Sequence, residues 1–280
     1  MRWLITGAGG QLGTDLQAVL ADDDVVALGR TALDISDAQA VASAVHEHAP
    51  DVVINAAAYT AVDAAETDED VAHRVNATGP AALAAVVAAS GGRLIHVSTD
   101  YVFSGEASRP YEVEDATGPK SAYGRTKLAG EQAVRELLPE RSFVVRTAWV
   151  YGVTGSNFVK TMIRLEREQG TVNVVDDQRG SPTWSADLAR GLVELGRSDA
   201  AAGIYHCTNT GDTTWFGLTR AIFEELGADP ARVLPTTTDA FPRPALRPAY
   251  SVLSDAAWRR VGLTPMPTWR EALTAAVRGF

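Results

Sequence analysis

Residues 2–16 read RWLITGAGGQLGTDL: a short apolar run, a glycine turn and the opening of a helix. The run Arg2–Thr6 is short and apolar on both faces, as a buried parallel strand is. Gly7, Gly10 and Gly13 follow at intervals of three residues. One glycine makes the tight turn, a second lets backbone N–H groups approach a pyrophosphate, and the third allows close packing of helix on sheet. The helix N-terminus then faces the phosphates with its partial positive charge. A strand before and a helix after distinguish a dinucleotide-binding turn from an ordinary tight connection.

Outward from this unit, four more runs have the same character: DVVAL (24–28), DVVIN (51–55), RLIHVS (93–98) and SFVVR (142–146). Helical stretches fall between them, at about 11–21, 37–48, 68–90 and 122–137. The alternation predicts an α/β fold, a Rossmann-type doubly wound parallel sheet over residues 1–150. Beyond 150 the rhythm loosens. Helices are expected over 157–170, over 185–197 with Ser185 as N-cap, and from about 214 to 227. Strands are expected at 171–175 and 203–209, and a last helix closes the chain. The segment 235–250, PTTTDAFPRPALRPAY, holds four prolines and is no regular helix. Residues 151–280 therefore read mainly as a smaller C-terminal lobe, with the chain free to cross between lobes.

The formal charge is −10, with 46% apolar and 21% charged residues. There is no Lys/Arg run and no basic stripe, so no nucleic-acid partner is expected. An anionic ligand needs local donors against this field, and the backbone of the glycine turn offers them. The single cysteine, Cys207, can form no intramolecular disulfide and no cysteine-based zinc site. It reads as a small core residue in a reducing compartment. No metal centre is expected. No segment approaches the ~20 apolar residues of a membrane span, and no targeting signal is seen. The expectation is a cytoplasmic protein with no membrane partner.

The second strand ends in Gly29-Arg30-Thr31, without the acid that would bind a ribose 2′-hydroxyl. Arg30 can pair with a 2′-phosphate, which favours NADPH. NADH is the alternative if Arg30 is only a solvated surface residue.

Ser98, Thr99, Asp100 and Tyr101 stand at the carboxyl end of the fourth strand, the edge where open α/β sheets bind ligands. Tyr123 and Lys127 are four apart at a helix start, hence on one face. A free tyrosine has a pKa of about 10, and a neighbouring ammonium is expected to lower it. The pattern suits carbonyl reduction. Thr99 binds the reacting oxygen, Tyr123 protonates it, and Lys127 supports both the phenol and the cofactor ribose. Strand alternation selects Thr99 over Ser98. Asn76, mid-helix, reads either as a local hydrogen-bonding residue or as a kink.

TGAGGQLG, STDYVFSG, YGRTKLAGE and RTAWVYG together resemble the extended short-chain dehydrogenase/reductases. NAAAYTAVDAAE, NFVKTMIRL, DDQRGSPTW and RPAYSVL narrow the resemblance to the dTDP-4-dehydrorhamnose reductase family. The resemblance implies a Thr99–Tyr123–Lys127 triad. It implies cofactor contacts at Gly7, Gly10, Gln11, Leu12, Arg30, Asp34, Ile35, Ala56, Ala57 and Ala58, with Tyr123 and Lys127. It implies that the smaller C-terminal lobe, residues 151–280, is the substrate-binding lobe. For a nucleotide-sugar substrate it implies contacts from Thr99, Asp100, Trp149, Asn157, Gln178, Thr183 and Arg247, with Arg243 competing for the diphosphate. The implied reaction takes hydride from NADPH to C4 of dTDP-4-dehydro-L-rhamnose and yields dTDP-L-rhamnose. Some members of the family form homodimers with magnesium held by acidic residues. Asp15 lies near one such position but carries the shorter acid, so Mg2+ and a homodimer stay open. Two rivals share the fold: nucleotide-sugar epimerases or dehydratases, and a regulatory subunit resembling that of methionine adenosyltransferase. Tyr101 stands after Asp100 where a dehydratase has Glu, and the intact triad disfavours a regulatory subunit.

Overall fold

Successive side chains of a strand point to opposite faces of its sheet, and the first strand shows what this does here. In the computed structural model, which describes residues 1–280, Trp3 and Ile5 enter one apolar layer and Leu4 the other. The strands β1 (Arg2–Thr6), β2 (Asp24–Leu28), β3 (Val52–Asn55), β4 (Arg93–Thr99) and β5 (Ser142–Thr147) repeat the pattern. Val52, Ile54, Ile95, Phe143 and Val145 join the layer of Trp3. Val53, Leu94 and Val144 join that of Leu4. With the strand Gly203–His206 they form a six-stranded sheet, ordered Gly203–His206, β5, β4, β3, β1, β2. Every pair is parallel.

The helices in chain order are α1 (Gln11–Val19), α2 (Ala38–His48), α3 (Glu69–His73), α4 (Gly79–Ser90), α5 (Ala122–Leu137), α6 (Phe158–Glu168), α7 (Ser185–Arg197), α8 (Trp215–Glu225), α9 (Ala256–Arg260) and α10 (Trp269–Val277). α1 and α7 cover one face through Leu16, Leu188 and Leu192. α2, α4 and α5 cover the other through Val41, Leu83, Val87 and Val134. All seven side chains are buried, each contributing about 1.5–3 kcal/mol. The sheet is thus doubly wound. Its sixth strand and α7 come from beyond residue 150, so the chain returns to the first layer before finishing a third, C-terminal core. A separate core unites α6, α8 and α10 with the parallel pair Val172–Val175 and Val233–Thr236. No helix is long and apolar enough to cross a membrane.

Two local expectations are corrected. Ser185 is the first residue of α7 rather than its cap; Trp184 holds the cap position without a side-chain bond. The Ser185 hydroxyl instead donates to Asp15 of α1, joining the two helices. The stretch 68–90 is not one helix either. α3 and α4 are separated by a π-helical turn, Arg74–Thr78, and Asn76 in that turn is fully buried. Asn76 accepts from the Tyr59 amide at 2.8 Å and donates to the Tyr59 carbonyl at 3.1 Å. It also donates to Thr126 Oγ1 at 3.1 Å. The local hydrogen-bonding reading of Asn76 holds, and the π-helical turn is the distortion of the helix that accompanies it.

Candidate active site

A hollow of about 800 Å³ opens where β1, β3, β4 and β5 end. That volume is within the usual range of roughly 300–1,000 Å³ for ligand sites. The glycine turn forms part of the wall. Gly7 has φ +69°, and a Cβ there would lie 2.6 Å from the Ala57 amide nitrogen, so the turn nests against the end of β3 as only glycine permits. Gly10, Gln11 and Leu12 continue the wall into α1, and Arg30, Asp34 and Ile35 line it beyond β2. Ala56, Ala57 and Ala58 line it beyond β3. Asp34 accepts from the Ser36 hydroxyl at 2.7 Å and from its amide at 2.9 Å. These bonds hold its carboxyl below the usual range, helped by Arg30 and Arg74 nearby. Arg30 forms no ion pair, so its guanidinium is free for an anionic group. A backbone cradle open to phosphate and an uncommitted arginine on the same wall fit a phosphorylated dinucleotide.

The acid–base residues share this hollow. Ser121 caps α5 by accepting from the Gly124 amide at 3.1 Å, and Glu66 accepts from the Ala122 amide at 2.8 Å. Two orphan donors of the first turn are thereby satisfied, which fixes Tyr123 in that turn. A Cβ on Gly124 would fall 2.3 Å from the Tyr101 carbonyl oxygen. The glycine lets α5 approach the turn after β4, where Tyr101 packs edge-on to Tyr123 with ring centres 5.6 Å apart. Thr99, Asp100, Tyr123 and Lys127 all line the hollow, and the Thr99 hydroxyl faces the phenol.

The electrostatics differ from expectation. Burial pushes Tyr123 up to about 12, opposed by the Thr99 hydroxyl and reinforced by Asp100. Lys127 is not among the groups acting on the phenol. It is buried and donates to the Val97 carbonyl at 2.7 Å. Burial lowers it to about 8, against the attraction of Glu131. With its ammonium held on a strand carbonyl, Lys127 does not lower the phenol, and the expected depression does not arise. Asp100, 2% exposed, is pushed up to about 6 by burial, against the facing Ser251 and Thr99 hydroxyls. Ser98 faces away from the phenol and donates to Glu131 at 2.5 Å.

On the C-terminal side, Trp149 and Asn157 reach the hollow. Trp149 adopts φ +48°, a left-handed conformation that costs a bulky residue about 1–3 kcal/mol. It stacks on Trp215 with ring centres 3.5 Å apart. Trp215 also lines the hollow, a role the sequence reading missed; an aromatic residue opening a helix was its only local signal. Asn157 caps α6 by accepting from the Lys160 amide at 2.9 Å and donates to Gln11 Oε1 at 2.8 Å, joining this side to the glycine turn.

Three expected residues are not brought to the wall. Gln178 stands behind Trp215, accepting from its indole at 3.1 Å and donating to Thr238 at 2.9 Å. The buried Thr183 hydroxyl donates to the Ser181 carbonyl at 3.2 Å. Arg247 lines a neighbouring hollow of about 330 Å³ with Tyr101, Lys120 and Ser121. There its Nη2 lies 3.0 Å from Asp63 Oδ2. Arg243 lies in the exposed part of the proline-rich segment.

A family model described as the RmlD substrate binding domain matches residues 1–280. The chain is 55% identical over 279 residues to dTDP-4-dehydrorhamnose reductase of Streptomyces griseus, covering 98% of this chain and 92% of that protein. It is 50% identical over 277 residues to dTDP-4-keto-6-deoxy-D-glucose reductase of Streptomyces niveus, covering 98% and 96%. The solved structure of dTDP-4-dehydrorhamnose reductase from Bacillus anthracis in complex with NADP is 40% identical, with a TM-score of 0.96, covering 100% of this chain and 99% of that one.

Proposed function

The chain belongs to the RmlD substrate binding domain family, and from that membership we propose that it reduces the C4 carbonyl of dTDP-4-dehydro-L-rhamnose to dTDP-L-rhamnose with NADPH. The observation that carries this reading is one hollow lined by the glycine turn, by Arg30 and by Thr99, Tyr123 and Lys127 together. NADPH, bound along the glycine turn with its 2′-phosphate at Arg30, supplies the hydride.

The chain's own residues do the rest. Thr99 donates its hydroxyl to the ketone oxygen and aligns it with the phenol. Tyr123 gives its proton to that oxygen as negative charge develops there. Even pushed up to about 12, a phenol is a far stronger acid than the secondary alcohol being formed, so the transfer runs downhill. Lys127, with one N–H on Val97, keeps two for the ribose and carries positive charge at neutrality. Trp149, braced by Trp215, packs on the sugar. The nucleotide diphosphate lies toward Arg247 and the neighbouring hollow. Gln178 and Thr183 support that wall from behind.

The test is turnover of purified protein with dTDP-4-dehydro-L-rhamnose, followed at the absorbance of the reduced nicotinamide, with NADPH and NADH compared and with dTDP-4-keto-6-deoxy-D-glucose as second substrate. Rapid oxidation of NADPH with the first ketone is expected. Turnover confined to the second would move the substrate to the other sugar, and none with either would overturn the reading.

A further inference from the structure

A carbonyl reduction takes up one proton from water per turnover, so Tyr123 must be reloaded each time. The Thr99 hydroxyl faces its phenol, and behind Thr99 stands Asp100. Thr99 Oγ1 donates to Asp100 Oδ1 at 3.0 Å and accepts from the Tyr101 amide at 3.2 Å. Asp100 is 2% exposed and lines the hollow, and neither its Oδ2 nor the buried Ser251 hydroxyl that faces the carboxyl makes a hydrogen bond. A buried carboxylate oxygen without a donor is costly, and buried polar atoms left unmatched call for a reason. Lys127 is turned to the Val97 carbonyl. The hydroxyl that faces the phenol is thus bonded to the carboxyl.

We infer that Asp100 is the proton store of the site, reloading Tyr123 through the Thr99 hydroxyl. This rests on the reading of Tyr123 as the acid of a carbonyl reduction. With Asp100 protonated the Thr99–Asp100 bond runs the other way, Oδ1–H donating to Oγ1, and the Thr99 hydroxyl proton turns to the phenol. When Tyr123 has given its proton to the substrate oxygen, the Thr99 proton passes to the phenolate. The Asp100 Oδ1–H passes to Thr99 Oγ1 in its place. One O–H bond forms at Tyr123, one breaks and one forms at Thr99 and one breaks at Asp100, no electrons are exchanged, and Asp100 is left as carboxylate. Water in the hollow then returns a proton through Oδ2. The groups bearing on the carboxyl are the Thr99 and Ser251 hydroxyls and the Tyr101 amide, and the titratable groups that feel its charge are the phenols of Tyr101 beside it and Tyr123 from α5. Burial holds Asp100 near 6, where a carboxyl both releases and recovers a proton close to neutrality.

The experiment uses the full chain with NADPH and the ketosugar. Asp100→Asn should lower kcat about 10²-fold, the scale of lost acid–base assistance, with KM for the sugar within about twofold. It should also remove the fall of kcat as pH rises above neutrality. Thr99→Ser should keep that pH dependence, and Thr99→Val should lose it. Independently of turnover, infrared difference titration of the cofactor-free chain should show a protonated carboxyl band, absent in Asp100→Asn, that titrates near neutrality and shifts in Thr99→Val. A raised KM with unchanged kcat and pH profile would make Asp100 a grip on the sugar and overturn the inference. So would a band titrating like a surface carboxyl. Failure of the unsubstituted chain to reduce the ketone would sink the reductase reading, and the infrared titration would then decide the proton store by itself.

Discussion

Arg146 Nη2 lies 2.7 Å from Glu131 Oε2, with the two side chains 3% and 2% exposed. Glu131 is one turn beyond Lys127 on the face of α5 that carries Tyr123, and Arg146 is on β5. The carboxylate also receives the Ser98 hydroxyl from β4, and the guanidinium lies over the Phe103 ring at 4.9 Å. The pair therefore ties the helix of the acid–base residues to two central strands.

Removing one partner leaves a buried charge alone. Glu131→Leu should cost about 3–5 kcal/mol. Glu131→Leu with Arg146→Met should recover a large part of it, because no bare charge then remains. Urea unfolding of the two single variants and the double variant measures this. A double variant as unstable as the sum of the singles would show that the pair is not coupled.

Tyr123→Phe removes only the phenolic oxygen. Turnover should fall about 10²–10⁴-fold, while NADPH affinity measured by fluorescence titration stays nearly unchanged. Substantial residual turnover would take the proton-donor role from Tyr123.

Arg30 has no carboxylate partner and lines the hollow. Arg30→Ala should weaken NADPH by about 1.5–3 kcal/mol, the range for hydrogen bonds to charged groups, and leave NADH almost unaffected. Calorimetric titration with both cofactors compares them. Equal losses for the two would place the 2′-phosphate elsewhere.

Asp100 carries a pH dependence of stability. Its folded value of about 6 lies above the ordinary value of 3.8, so the folded chain keeps a proton that the unfolded chain releases between those values. The stabilisation from that proton is fully present below the ordinary value and is lost as pH rises through about 6. Asp100→Asn should therefore be the more stable protein at about pH 8, by up to about 3 kcal/mol. The advantage should close toward about pH 4. Melting temperatures across that range give the answer, and a constant difference would mean that Asp100 does not titrate in the folded chain.

Trp149 rests on Trp215. Trp215→Ala should raise KM for the nucleotide sugar several-fold, in keeping with about 0.5–1.5 kcal/mol for an aromatic stack, with NADPH binding unchanged. An effect on NADPH alone would put the indole pair on the cofactor side.

The parts of this protein written in the sequence are those whose geometry is set by near neighbours along the chain. The strand, turn and helix of residues 2–16 follow from an apolar run and three spaced glycines. The shared face of Tyr123 and Lys127 follows from helical pitch, and the two-layer burial of the sheet follows from alternation along each strand. Packing between distant segments decided the rest. The return of Gly203–His206 to the edge of β5, the seat of Trp215 under Trp149, the pairing of Arg247 with Asp63 and the clamp of Asn76 on Tyr59 and Thr126 join residues that no local period relates. The charge states belong to that second class as well. The spacing of Tyr123 and Lys127 placed both in one hollow. Desolvation and the Val97 carbonyl, which exist only once the sheet and α5 have met, set the phenol high and turned the ammonium aside.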